Sequence, residues 1–107
     1  MVPLFVSRLA SLLRVLLMSE LKPTTRYLVM AMRTPGFSDE VIAPHRAFLE
    51  ALRAVGRLEM AGGFSDHSGG AYLLQAASLE EAQAVVAADP LATSGASVLS
   101  VYEWNTR

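Results

Sequence analysis

The chain predicts an α+β domain of the ferredoxin-like type, βαββαβ, with a four-stranded antiparallel sheet. Three observations carry this: apolar runs of strand length recur along the chain, two intervening segments have helical apolar spacing, and a glycine- and serine-rich turn joins the middle strands. Tyr27–Met32 is the first strand, a continuous apolar run ended by Arg33-Thr-Pro-Gly36 and suited to burial on both faces. A helix follows in which Pro44 occupies a tolerated first-turn position and Phe48, Leu49, Leu52 and Val55 recur at three-to-four spacing until Gly56 stops it. Arg57–Ala61 is the second strand, ended by Gly62-Gly63. Ser65–Gly70 is dense in residues that bond their own backbone or accept positive φ, so it reads as a hairpin turn. Ala71–Ala76 is the third strand. Ser78-Leu-Glu-Glu81 is a capping box opening a second helix that ends at Asp89-Pro90. A short turn through Gly95 leads to the fourth strand, Val98–Trp104.

Right-handed crossovers place both helices on one face of such a sheet. Yet the first strand offers Leu28 and Met30 to one side and Tyr27, Val29 and Ala31 to the other, and the fourth offers Leu99 and Val101 against Val98, Tyr102 and Trp104. Both faces therefore want burial, and a twofold homodimer packing sheet on sheet is the simplest way to supply it.

With 107 residues the chain is a single domain, small for a buried cavity unless a partner helps to build one. The net charge of −1 and the dispersed arginines leave no basic stripe for phosphates, which argues against nucleic acid as a partner. The lack of cysteine excludes a disulfide scaffold and thiolate metal sites, and suits a cytoplasmic location. Residues 1–26 stand apart from the domain at 27–107. Leu4, Phe5, Leu9, Leu12, Leu13, Leu16 and Leu17 recur at helical spacing, with Arg8, Ser11 and Arg14 on the other side, an amphipathic extension. A membrane span needs about twenty apolar residues, and the arginines interrupt this run. Membrane contact through a surface-bound helix is thus the weaker reading. An appendage, with Met18 a candidate natural start, is the favoured one.

Chemistry near neutral pH rests on few groups. His45 lies one turn before Phe48 and Leu49, on their inward side, where an imidazole can exchange a proton; ordinary histidine titrates near pH 6.5 (about). The plainer reading is a structural histidine bonding the backbone near a helix N-terminus. Asp89 before Pro90 can cap a short turn, and an acid so fixed can also hold an imidazole tautomer. His67 sits in the hairpin turn and reads as exposed. No spacing of ligands suggests a metal site, and no glycine-rich loop opens a helix, so no metal or cofactor is expected. Gly62 and Gly63 could admit a ligand close to the backbone, though an ordinary turn explains them too.

His45 followed by Phe48-Leu49 and Leu52, then Val55-Gly-Arg-Leu58, Ala61-Gly-Gly-Phe64, Ser78-Leu-Glu-Glu-Ala82, Asp89-Pro90, Gly95 and Val101-Tyr-Glu-Trp104 together resemble the YciI-like (YCII-related) family. The likeness runs from about Tyr27 to Trp104. It implies a ferredoxin-like fold, assembly as a dimeric α/β barrel, and a cleft centred on a histidine and an aspartate, which map to His45 and Asp89. One departure is Gly62-Gly63, where many members carry Gly-Pro. The function expected is a cofactor-independent lyase or isomerase acting on a small molecule, with His45 moving a proton and Asp89 orienting its ring. Arg33, Gly62, Gly63, Phe64 and Ser65 are the candidate ligand-lining residues. The alternative is a non-catalytic small-ligand binding or accessory domain in which the pair is a structural hydrogen bond.

Overall fold

The computed structural model describes residues 4–18 and 20–107, with side chains from Arg8 onward. In chain order the elements are α1 (Leu4–Met18), β1 (Thr25–Arg33), α2 (Ile42–Ala54), β2 (Leu58–Gly63), β3 (Gly69–Leu74), α3 (Leu79–Val86), the short α4 (Pro90–Thr93) and β4 (Ser97–Asn105). The strands form an antiparallel sheet in the order β2-β3-β1-β4, the ferredoxin-like arrangement. Its central pair is β1 and β3, because each must hydrogen-bond on both edges. Ser78 caps α3 by accepting from the Glu81 backbone N–H, while the Glu81 carboxylate reaches back to the N–H of Ala77.

Strand parity decides what the core contains. Tyr27, Val29 and Ala31 of β1 and Tyr72 and Leu74 of β3 point toward the helices, where Phe48 and Leu52 of α2 and Ala82, Val85 and Val86 of α3 meet them. The opposite face is apolar and open: Met60 is 64% exposed, Val98 63%, Tyr102 56% and Trp104 50%, in rows that also hold Leu28, Met32 and Leu73.

Three differences from the sequence reading have physical causes. β2 and β3 enclose all four glycines expected to flank the hairpin: Gly62 pairs with Ala71 and Gly63 with Gly70. β3 approaches both neighbours closely: a Cβ on Gly69 would lie 2.1 Å from the Ala31 carbonyl oxygen of β1, and one on Gly70 would lie 2.4 Å from that of Gly62 in β2. Glycine here permits close ladder contact as well as turning. β1 begins at Thr25, so the expected boundary at residue 27 falls inside a strand.

The third difference is α1, which packs on α2 and α3. Leu9 and Leu16 are buried in the main core, with Leu12 and Leu13 against it. The stripe is narrower than the sequence suggested, since Leu17 is 61% exposed; the side chains of Leu4 and Phe5 lie outside the described residues. Arg57, just before β2, donates from Nη2 to the Leu16 carbonyl oxygen at 2.6 Å, placing a cation at the end of α1 where carbonyls lack helical partners. A packed α1 makes Leu16→Ala costly, by about 2–5 kcal/mol for a leucine with no exposed surface. Equilibrium denaturation checks this, and an unchanged stability would show that α1 does not contribute to the core.

Candidate active site

Side-chain size along the helix-facing side of the sheet falls from one end to the other. One cross-strand row holds Tyr27, Leu74 and Leu58; the next holds Val29, Tyr72 and Ala61; the next holds Ala31, Gly70 and Gly63. Bulky residues fill the space at the Tyr27 end. Small ones leave it open at the Ala31 end, and the gap beside α2 is a cavity of about 490 Å³. Above this floor α2 presents Ile42, His45, Arg46, Leu49, Glu50 and Arg53, one helical stripe. The core stripe of the same helix, Phe48 and Leu52, lies beside it. Leu91, Phe37 and Arg33 close the remaining side.

Asp89 stands under this cavity with no exposed surface. Backbone geometry puts it there: it is the N-cap of α4, in extended conformation ahead of Pro90, and its Oδ1 accepts the Leu91 N–H at 2.9 Å. The same Oδ1 lies 2.8 Å from Nδ1 of His45. Its Oδ2 accepts the Tyr72 hydroxyl at 2.9 Å. The Tyr72 hydroxyl and the Leu91 N–H thus donate to this carboxylate, and the imidazole Nδ1 of His45 is the third polar atom in contact with it. His45 Nε2 has no protein partner among the described residues, and the ring lines the cavity with its side chain 19% exposed.

Tyr72 packs beside that ring, centroids 6.1 Å apart and planes tilted by 47°. Burial and then the neighbouring Asp89 charge and hydrogen bond push its phenol well above the ordinary tyrosine range. It therefore stays a donor throughout the neutral range. Strand parity and the rule that a buried tyrosine hydroxyl needs a partner were the signals for it in the sequence, but neither says which partner.

The structure brings His45, Asp89, Arg33, Gly62 and Gly63 to one place, Asp89 beneath the cavity and the other four lining it. Phe64 and Ser65 stay outside its lining, in the five-residue turn after β2, where Phe64 bonds backbone to backbone with Gly69 and His67. His67 is exposed in this turn with φ of 63°. Tyr72, Arg46, Glu50, Arg53 and Leu91 also line the cavity, and the sequence did not single them out for it. Among the described residues no three histidine, aspartate or glutamate side chains converge as metal ligands, and no helix is long and apolar enough to cross a membrane.

Comparison with known proteins agrees with this architecture. Residues 25–105 match the model of the YCII-related domain. The Bacillus subtilis (strain 168) protein YjpA, itself uncharacterised, is 49% identical over 81 residues, which is 76% of this chain and 95% of YjpA. Among solved structures, the 5-chloro-2-hydroxyhydroquinone dehydrochlorinase TftG from Burkholderia phenoliruptrix AC1100, in complex with 2,5-dihydroxybenzoquinone, superposes with a TM-score of 0.58 at 24% identity. The match covers 74% of this chain and 92% of that one.

The Tyr72 hydroxyl gives a test independent of any substrate. Tyr72→Phe leaves Asp89 one donor short and lowers stability at neutral pH by about 1–3 kcal/mol. In the parent protein the raised phenol pKa makes stability fall as pH rises above about 10, because the unfolded tyrosine ionises there and the folded one does not. The variant loses that component. Urea titrations at neutral and alkaline pH measure both, and an identical alkaline slope in the two proteins would contradict the assignment.

Proposed function

The chain belongs to the YCII-related family, and we propose that it is a cofactor-independent lyase or isomerase acting on a small molecule, with His45 as the group that moves a proton. The observation that carries this is the 2.8 Å contact between His45 Nδ1 and the buried Asp89 carboxylate at the edge of a cavity of about 490 Å³. With Nδ1–H held by Asp89, Nε2 carries the lone pair and is the nitrogen available to a ligand. It takes a proton from a ligand atom seated over the floor made by Ala31, Ala61, Gly63 and Gly70. The imidazolium formed is stabilised by the carboxylate, whose position Tyr72 and the Leu91 N–H maintain. Return of the proton to another atom gives an isomerisation, and loss of a leaving group from the neighbouring atom gives an elimination. That TftG is a dehydrochlorinase is consistent with the second outcome.

The double role of Asp89 favours one other reading. Because its Oδ1 also caps α4, the pair could serve only to hold α2 against α4 in a ligand-binding module. Catalysis separates the two. His45→Ala reduces turnover of any substrate found by screening by about 10²–10⁴-fold in the catalytic case, whereas full turnover in that variant would remove His45 as the base.

The same reading includes a cytoplasmic homodimer, completed as an α/β barrel by packing the open sheet faces together. Its support is the apolar face holding Met60, Val98, Tyr102 and Trp104, larger than scattered surface leucines or methionines make. Sedimentation at micromolar concentration is expected to give twice the chain mass, and Tyr102→Glu to shift it toward the monomer. A monomer mass for the parent protein would contradict the dimer.

A further inference from the structure

We propose that the cavity takes its ligand as an organic oxyanion, a carboxylate or an ionised enol or phenol, with Arg33 and Arg46 as its counter-charges; this rests on reading the cavity as the small-molecule site. Four charged residues stand on its lining besides His45: Arg33, Arg46, Glu50 and Arg53. Arg53 Nε lies 3.3 Å from Glu50 Oε1, so those two charges offset each other. Arg33 and Arg46 meet no carboxylate among the described residues. Asp89 is buried, and both its oxygens are already engaged by His45, Tyr72 and the Leu91 N–H.

The two free cations are placed differently. Arg46 lies on the same cavity-lining stripe of α2 as His45, so it stands at the helix side of the cavity. Arg33 ends β1, opposite. Its backbone N–H donates to the Ser68 carbonyl at 2.9 Å, and its Cα is paired with Ser97 of β4, so the residue is held from both edges. Its guanidinium lies over the Phe37 ring, 4.0 Å from the centroid. Stacking on an aromatic face fixes the guanidinium plane and leaves its N–H edges free, the form in which arginine recognises carboxylates.

The rest of the lining offers little to a neutral polar ligand. The floor is largely alanine and glycine, Leu49, Leu91 and Ile42 are apolar, the Tyr72 hydroxyl is committed to Asp89, and Ser97 adds a single small hydroxyl. The available recognition is therefore a cationic rim over an apolar bed, which suits a small molecule with one charged oxygen group and a hydrocarbon or ring body. The arrangement also complements the chemistry: when His45 Nε2 removes a proton next to a carbonyl, the electron pair moves onto that oxygen, and a nearby guanidinium stabilises the charge as it develops.

The test uses the full chain and matched probes, with benzoate, 2,5-dihydroxybenzoate and succinate each titrated against its neutral amide while backbone and His45 resonances are followed by NMR. The expected result is that at least one carboxylate binds at the cavity about tenfold or more tighter than its amide, that added salt weakens the difference, and that Arg33→Gln and Arg46→Gln each reduce it. Both arginines are exposed, so melting temperatures of the variants serve as the folding control. Equal affinity for acid and amide, insensitive to both substitutions, overturns the oxyanion proposal and leaves the cavity reading standing. Probes that perturb no cavity resonance overturn both.

Discussion

The buried carboxylate of Asp89 is the constraint on which the site depends. Removing a charge from water costs several kcal/mol unless hydrogen-bond partners replace the water. Here the hydrogen-bond partners come from three separate elements: His45 of α2, Tyr72 of β3 and the Leu91 N–H of α4. A carboxylate satisfied by α2 alone would hold a histidine in place on its own helix. One satisfied by all three ties that helix to the central sheet and to the turn before β4, so the imidazole position becomes a property of the fold. The short α4 exists for the same reason: its cap and the anchor of the histidine are one side chain.

The cavity has an equally local origin. Ferredoxin-like sheets fill the gap under their helices with side chains from alternate strand positions, and this chain does so at the Tyr27 and Leu74 end. At the other end Ala31, Gly63 and Gly70 supply almost no volume. The close strand approach that requires glycine at positions 69 and 70 and the cavity beside it are therefore two consequences of one run of small residues. Because α1 adds Leu9 and Leu16 to the filled end, cohesion is concentrated away from the site.

Much of this was legible in the sequence. The order of strands and helices followed from periodicity and from the capping box at Ser78, and His45 and Asp89 stood out because helix phase and an acid before proline each restrict where a side chain can go. Tyr72 was less legible, since strand alternation shows that it shares a face with Leu74 but not what lies across from it. Gly62, Gly63, Gly69 and Gly70 read as turn residues because glycine marks both turns and close backbone contact; only the pairing distinguishes them. Nothing in the sequence marks Arg46 and Arg53, and their place over the cavity depends on the small floor beneath. Leu9 and Leu16 showed an amphipathic helix without showing that α2 and α3 would receive it. Phe64 and Ser65 follow the glycines in sequence, yet the turn carries them past the cavity.

The central claim is that Asp89 holds His45 with hydrogen on Nδ1 and the lone pair of Nε2 toward the cavity. Long-range ¹H–¹⁵N correlation spectra of the His45 ring at neutral to mildly alkaline pH test it most directly. The account predicts the Nδ1–H tautomer, with a slowly exchanging ring proton that is lost in Asp89→Asn. A ring dominated by the Nε2–H tautomer, or one unaffected by that substitution, would contradict it.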